Sequence, residues 1–371
     1  MRTRRQGDDF TMAAGGAVST ATGVALMILA SLGAVNPASG APPTSHPRSG
    51  PAPLPDGFIS RELRLPDGSV RKYTVFVPAD YDRDASHKWP VIVFLHGSGE
   101  CGVDGRRQTR VGLPKYIAGR PKRFPFITVM PQARTLWFRN EDAAAVWLAL
   151  EEVHREYRTD RDRVYLTGLS MGGFGTWELA MLRPDVFAAI VPVCGVGHED
   201  YASNIVHVPV WAFHGARDRN VPVAGSRKPI EALRQLGAKP KYTEFPTLGH
   251  QCWDRAYATP GLWPWLLKQH RNPPPRAIDY KLPRGTSRLW WLAVEADPEI
   301  DHPAHIHATI EDNGRVSISS DGIRSWALVS DSEPLTPGDA VEVTWNDKTV
   351  YRGPFKGTLS AQPPEATATG G

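Results

Sequence analysis

The stretch that most constrains this chain is Gly168-Leu169-Ser170-Met171-Gly172-Gly173. An apolar run, Arg163-Val164-Tyr165-Leu166-Thr167, precedes it and reads as a strand. Phe174 to Leu182 follows and reads as a helix. A G-x-S-x-G sequence between a strand and a helix forces a sharp, strained turn with the serine hydroxyl pushed outward. Side chains two positions either side of the serine would collide across that turn, and both are absent here, at Gly168 and Gly172. Glycines and a serine coincide by chance in a chain with 34 glycines, so the turn gains its weight from what accompanies it.

A serine used as a nucleophile needs a base, the base needs an orienting acid, and the developing oxyanion needs N–H donors. Downstream, the run Pro209 to Phe213 ends in His214-Gly215-Ala216-Arg217-Asp218, which places Asp218 just past a strand end. The next strand, Lys241 to Phe245, leads into Leu248-Gly249-His250, which makes His250 the candidate base. Asp254 and Asp200 are rival acids, and Asp254 lies too close in sequence to His250 for the usual arrangement. Upstream, Val91 to Leu95 runs into His96-Gly97-Ser98-Gly99-Glu100. That turn is expected to supply one oxyanion N–H, at Ser98, and the residue after the nucleophile, Met171, the other. His96 reads as a structural histidine of the turn, Glu100 as a loop-ordering carboxylate. Trp137 and Trp253 read either as pocket walls or as core.

With these residues the chain resembles the secreted α/β-hydrolases of the esterase group, which includes feruloyl and acetyl esterases, dienelactone-hydrolase-like proteins and "predicted peptidases". The resemblance runs from about Phe58 to His270 and rests on residues 96–100, on Met130-Pro131-Gln132 with Trp137, and on residues 168–173. It also rests on His214-Gly215 with Asp218 and Val221-Pro222, and on Gly249-His250 with Trp253 and Ala256-Tyr257. It implies an α/β-hydrolase fold and a Ser170-His250-Asp218 triad. The reaction it implies is hydrolysis of a small-molecule or polysaccharide-linked ester through an acyl-enzyme, with no cofactor and no metal. A serine peptidase on the same scaffold and a non-catalytic binding protein are the competing readings.

The secondary-structure pattern fits a mainly parallel sheet with helices on both faces. Residues 59–65 and 71–77 flank Pro66-Asp67-Gly68-Ser69 as a hairpin; residues 126–130 and 188–193 are strands; residues 142–158, 223–236 and 260–270 are helices. After Arg271-Asn272-Pro273-Pro274-Pro275-Arg276 the apolar period shifts towards two. Strands are expected at 288–295, 304–311, 315–320, 324–329, 340–345 and 349–353, as a small antiparallel β-sandwich-like domain. The division is therefore a catalytic domain at 56–272, an all-β domain at 278–359 and a disordered tail at 360–371. Within the all-β part, His302, His305 and His307 suggest a metal cluster, but Ile306, Ala308 and Ile310 define the core face and put the histidines outside. Trp290 and Trp291 read as core, with an exposed sugar-binding aromatic as the alternative.

The N-terminus reads as a targeting segment. Arg2, Arg4 and Arg5 precede an apolar run of about a dozen residues, Val24 to Val35, too short to span a bilayer. Ala38-Ser39-Gly40 is a small-residue cleavage site, so residues 1–40 are expected to be a signal peptide, and the mature protein to be secreted or periplasmic with no membrane partner. An uncleaved anchor is the alternative. Residues 41–55, rich in Pro and Ser, read as a flexible linker. A net charge of +4, with acids interleaved among the arginines of residues 155–163, argues against a nucleic-acid partner. Three cysteines, Cys101, Cys194 and Cys252, make no disulfide framework. Cys194 and Cys252 both fall near the top of the sheet, where a bridge is conceivable and buried free thiols are the expectation.

Overall fold

The structure, a computed structural model, describes residues 57–137, 140–330 and 333–361. The expected signal peptide and linker lie outside the described residues, as do positions 362–371 of the expected tail. Among the described residues no helix is long and apolar enough to cross a membrane.

The chain begins with an antiparallel hairpin, β1 (Phe58–Arg64) and β2 (Val70–Phe76), turned by the Asp67-Gly68 pair. Asp67 accepts the Ser69 N–H, and Gly68 takes φ +83°, the conformation for which glycine is suited. Then come β3 (Trp89–Leu95), helix α1 (Leu113–Ala118), β4 (Ile127–Pro131), α2 (Asn140–Glu156), β5 (Thr159–Leu169) and α3 (Met171–Leu182). β6 (Ala189–Val193), β7 (Trp211–Gly215), α4 (Ala224–Gln235), β8 (Lys241–Phe245), α5 (Trp253–Tyr257) and α6 (Leu262–Leu267) complete this part. Eight strands form one sheet in the order β1-β2-β4-β3-β5-β6-β7-β8. From β4 onward every pair is parallel, and β2 meets β4 antiparallel.

A parallel strand covered on both faces reads as a continuous apolar run. β3 is such a strand: all seven of its residues are buried. Its alternate side chains feed two separate cores. Val91, Val93 and Leu95 join α2, α3 and α4 on one face. Ile92 and Phe94 join α1, α5 and α6 on the other. Cutting Phe94 back to alanine costs about 3–5 kcal/mol by loss of transfer energy plus the cavity left behind. The expected helix at 260–270 is shorter, Leu262–Leu267, because Gly261 takes a left-handed φ of +84° at its start, and a separate short helix, Trp253–Tyr257, precedes it.

Beyond the prolines stand β9 (Ala277–Leu282), β10 (Thr286–Leu289), β11 (Leu292–Ala296), β12 (Ala304–Ile310), β13 (Arg315–Asp321) and β14 (Ile323–Val329). β15 (Ala340–Trp345), β16 (Lys348–Pro354) and β17 (Thr358–Ala361) follow. They make two sheets, β10-β11-β14-β17 and β16-β15-β13-β12-β9. Side chains from both sheets, among them Tyr280, Ile306, Val316, Trp326 and Trp345, share one apolar cluster.

Four expectations for this region change. The single strand at 288–295 is a hairpin: Leu289 pairs with Leu292, and the intervening Trp290 takes a left-handed φ of +47°. The sheet is not wholly antiparallel, for β13 and β15 run parallel. The parallel pair arises because the chain leaves β13 for the other sheet as β14 and returns as β15, a crossover rather than a hairpin. An additional strand, β9, opens the region with strict alternation of exposed and buried residues. Ser360 and Ala361, assigned to the tail, pair with β14 as the end of β17.

Candidate active site

The candidate site is assembled at the carboxyl ends of β3, β5, β7 and β8, where parallel sheets place their ligands. Ser170 follows β5 directly and has φ +53° and ψ −119°, a conformation that costs a non-glycine residue of the order of 1–3 kcal/mol. The surrounding backbone fixes that strain. The Ser170 N–H donates to Val193 O at 2.9 Å, and the Ser170 carbonyl accepts the Phe174 N–H at 3.0 Å. The turn is packed against bare backbone: a Cβ on Gly168 would lie 2.2 Å from Gly172 O, and one on Gly172 would lie 1.9 Å from Leu95 O. Only glycine permits so close an approach.

The side chain exposed by this turn meets its expected partners. Ser170 Oγ lies 2.8 Å from His250 Nε2, and His250 Nδ1 lies 2.7 Å from Asp218 Oδ2. The imidazole is largely buried, at 15% exposure, and the Asp218 side chain is fully buried. Burial pushes the Asp218 carboxyl up, but hydrogen bonds from Val221 N–H, from His250 and from Asn220 N–H outweigh it and hold the group below the usual carboxylate range. Asp218 therefore stays ionised, and His250 Nδ1 carries the proton donated to it, which leaves Nε2 free to accept from the serine. The rival Asp254 is exposed and pairs with Lys115 at 2.6 Å. The other rival, Asp200, lies in the 3-10 turn Glu199–Ile205.

The turn after β3 supports the proposed oxyanion donors. Ser98 opens a short 3-10 turn, and Met171 is the first residue of α3, whose N–H has no acceptor one turn back. His96 is buried and accepts the Ala133 N–H on Nε2 at 3.0 Å, so its proton is on Nδ1 and is donated to Gly97 O at 2.7 Å. Burial lowers its pKa to about 4, so the ring is neutral. In a trans peptide the C=O and the next N–H point opposite ways, so pinning Gly97 O aims the Ser98 N–H. Gly97 borders the nucleophile: a Cβ there would lie 3.6 Å from Ser170 Cβ and 3.2 Å from Glu100 Oε2. Burial raises the Glu100 carboxyl above its ordinary range, and the N–H groups of Gly97 and of Glu100 itself only partly offset it.

The two tryptophans separate. Trp137 is fully buried, donates its indole N–H to His96 O at 2.8 Å and packs edge-on against the His96 ring. It braces the turn from beneath and presents no wall to a substrate, so of its two readings the pocket wall falls and the core one holds. Trp253 is half-buried and meets the His250 ring edge-on at 5.6 Å, beside the site.

His214 is a member of this assembly that the sequence reading left without a role. It is buried beneath the acid, with Nε2 3.1 Å from Val221 O and 3.2 Å from Asp218 Oδ2, and Nδ1 2.7 Å from Ser226 Oγ. Burial lowers its pKa, so it is neutral, and both neighbours of Nε2 only accept; the proton is on Nε2. The His-Gly pair at the end of β7 was the available signal. Gln132 is a second such member: its amide oxygen accepts the Gly105 N–H, and its amide nitrogen donates to Glu100 O and Asp104.

Cys194, His214 and Asp218 bring three potential metal-ligand atoms within 4.8 Å of one another. Each is already engaged: His214 and Asp218 as above, and Cys194 with Cys252 and His250 O. In the C-terminal sheets, His302, His305 and His307 are exposed, with His305 paired to Asp279. A cavity of about 280 Å³ lined by His207, Lys239, Lys241 and Trp265 sits at the opposite end of β7 from His214 and holds none of the site residues.

Residues 139–205, which include the serine turn and α3, match the model of the prolyl oligopeptidase family. The chain is 26% identical to an uncharacterized secreted protein of Arthroderma benhamiae, over 50% of this chain and 24% of that one. It is 26% identical to a probable feruloyl esterase C of Aspergillus niger, over 50% of this chain and 69% of that one. A thermostable esterase of known structure superposes with a TM-score of 0.52 at 32% identity, covering 58% of this chain and 64% of that one. The chain thus spans about a quarter of the first relative and about two thirds of the other two. This chain carries an α/β-hydrolase fold and resembles the esterases built on it.

Proposed function

We propose that the protein is a secreted serine hydrolase that cleaves carboxylic esters through an acyl-enzyme. The observation that carries the reading is the continuous hydrogen-bonded line from Ser170 Oγ through His250 to Asp218, placed on a strained turn beside two candidate oxyanion donors. In this reading His250 Nε2 takes the proton of Ser170 as its oxygen attacks the ester carbonyl, and Asp218 stabilises the resulting imidazolium. The N–H groups of Ser98 and Met171 receive the negative oxygen of the tetrahedral intermediate. His250 then returns its proton to the leaving alcohol, and the same steps with water release the acid. Trp253, against the imidazole, borders the substrate.

Secretion is supported by the Arg-led, apolar N-terminal segment with its small-residue cleavage site, and by likeness to a protein described as secreted. The two C-terminal sheets are read as a sandwich-like accessory domain that contributes no catalytic group, because every residue of the proposed machinery precedes Tyr257. A peptidase activity is the second reading, favoured by the prolyl oligopeptidase match over residues 139–205.

The deciding experiment sets purified protein against aryl and alkyl esters of graded acyl length beside a panel of peptide amides. Ester turnover with amides unreacted is the expected result; amide turnover at comparable kcat/KM transfers the assignment to the peptidase reading. A fluorophosphonate probe is expected to label Ser170 alone.

A further inference from the structure

Cys194 and Cys252 both bond the backbone carbonyl of the proposed base, His250, and nothing in the reaction uses them. Cys194 directly follows β6 with a left-handed φ of +50°, its N–H held by Phe213 O at 2.9 Å. Cys252 sits two residues beyond His250 and donates its N–H to His250 O at 2.8 Å. Both are fully buried, and their sulfur atoms are 2.8 Å apart. A disulfide sits at about 2.05 Å, so closure needs a further approach of less than about 1 Å. Cys101 is on a different loop with Thr135 O as its acceptor.

We propose that Cys194 and Cys252 are a disulfide-forming pair whose oxidation cross-links the end of β6 to the loop that carries His250. Two thiols lose two protons and two electrons as the S–S bond forms. A disulfide oxidant of the glutathione class accepts them and leaves as two thiols, by way of a mixed disulfide. Oxidation removes the Cys194 S–H donor to His250 O, and that carbonyl keeps the Cys252 N–H. The hydrogen bond with Cys194, followed by burial, holds the Cys252 thiol far above its ordinary range, so the folded protein offers little thiolate for exchange. The bond therefore closes while the chain is folding, and burial then shields it from reductants. An exported protein, which folds among disulfide oxidants, meets that condition. The cross-link closes a long loop and restricts the unfolded chain, and it limits excursions of the His250 segment.

The test counts thiols and involves no turnover, so it stands apart from the assignment of the reaction. The full chain is refolded in a glutathione redox buffer, quenched in acid, and alkylated under denaturing conditions without reductant. One alkylated cysteine, Cys101, and a linked Cys194–Cys252 peptide are expected; three alkylated cysteines overturn the proposal. Thermal melting supplies the second measurement. Oxidised protein is expected to melt on the order of 5 °C above the same protein unfolded and refolded in reductant, with Cys252→Ser and Cys194→Ala indifferent to reductant. Equal midpoints for the oxidised and reduced wild-type protein, with the bond shown to be present in one and absent in the other, overturn its bracing role.

Discussion

The eight-stranded sheet and the paired C-terminal sheets use buried polar groups in opposite ways. In the first, polar side chains are carried inward: His96, His214, Asp142, Gln132 and Gln108 are all buried, and Ser170 and Cys194 are held at positive φ. Each is secured by a neighbour, as Asp142 is by the N–H groups of Arg134 and Thr135. In the second, strands such as β9 and β12 alternate cleanly, and their charged side chains and histidines face outward. The larger unit carries most of the buried polar side chains, whereas backbone strain is shared, since Trp290, Asn346 and Asp347 of the smaller unit also take positive φ.

Two hydroxyls of the smaller unit are spent on the larger one. Tyr280 Oη and Ser287 Oγ both donate to Leu182 O, at 3.0 and 2.6 Å. Leu182 ends α3, so its carbonyl has no intrahelical donor. Asn204 adds a bridge, donating to Met181 O and Lys281 O and accepting the Lys281 N–H. Leu182 itself packs against the C-terminal core.

The contrast breaks most directly at the serine. Ser170→Ala is expected to lower ester turnover by at least about 10³-fold with an unchanged melting curve. A folded variant with wild-type kinetics removes Ser170 from the mechanism. Next comes the acid: Asp218→Asn is expected to cost on the order of 10²- to 10⁴-fold in kcat, while Asp254→Asn, which loses only an exposed pair with Lys115, leaves kcat in place. The opposite pattern in steady-state kinetics reassigns the acid.

Removing the C-terminal unit after Asn272 tests the division of labour. The truncated chain is expected to melt several degrees lower or to aggregate, because Leu182 and its neighbours lose their cover and the end of α3 loses its donors. Light scattering and calorimetry read this. A soluble, equally stable truncation that no longer hydrolyses small esters shows instead that the unit completes the site.

Acid should act through the larger unit. Burial lowers the pKa values of His96 and His154 to about 4, whereas unfolded histidine titrates near 6.5. Depressed folded values mean that the stability is fully present above about pH 6.5 and is lost as pH falls towards about 4, where the unfolded chain alone takes up the protons. Each group is worth about 3 kcal/mol across that window. Denaturant titrations at pH 7 and pH 4.5 are expected to show the loss, and His154→Gln to lessen it. An unchanged slope in that variant rejects His154 as a source. The smallest effect is at the seam between the units: Tyr280→Phe with Ser287→Ala is expected to lower stability by about 1–2 kcal/mol and to leave kcat alone, measured by urea unfolding beside steady-state assays.

How much of this was legible in the residues depended on whether the signal was local. The serine turn was readable because glycine at 168 and 172 is a steric requirement of one short segment, and the Leu95 carbonyl against Gly172 is its physical cause. Asp218 and His250 were readable as residues at strand ends. Trp137 was not, because its burial under His96 depends on packing between elements far apart in sequence. The same holds for His214, whose partner at Ser226 comes from the following helix. The hairpin at Trp290 carries no glycine or asparagine where the turn needs positive φ, so the usual turn signal was absent. The parallel pairing of β13 with β15 is a property of sheet crossing that alternation alone does not encode.

The double acceptor at Leu182 O also sets terms for recombination. A chimera that grafts another all-β unit onto this α/β-hydrolase fold inherits a helix end awaiting two donors. A graft chosen for apolar fit alone leaves that carbonyl buried and unanswered. One that restores two hydroxyls at the matching register, whatever the rest of its sequence, meets the requirement. Exchange of the C-terminal unit in this chain thus turns on what the incoming strand offers to a single backbone oxygen.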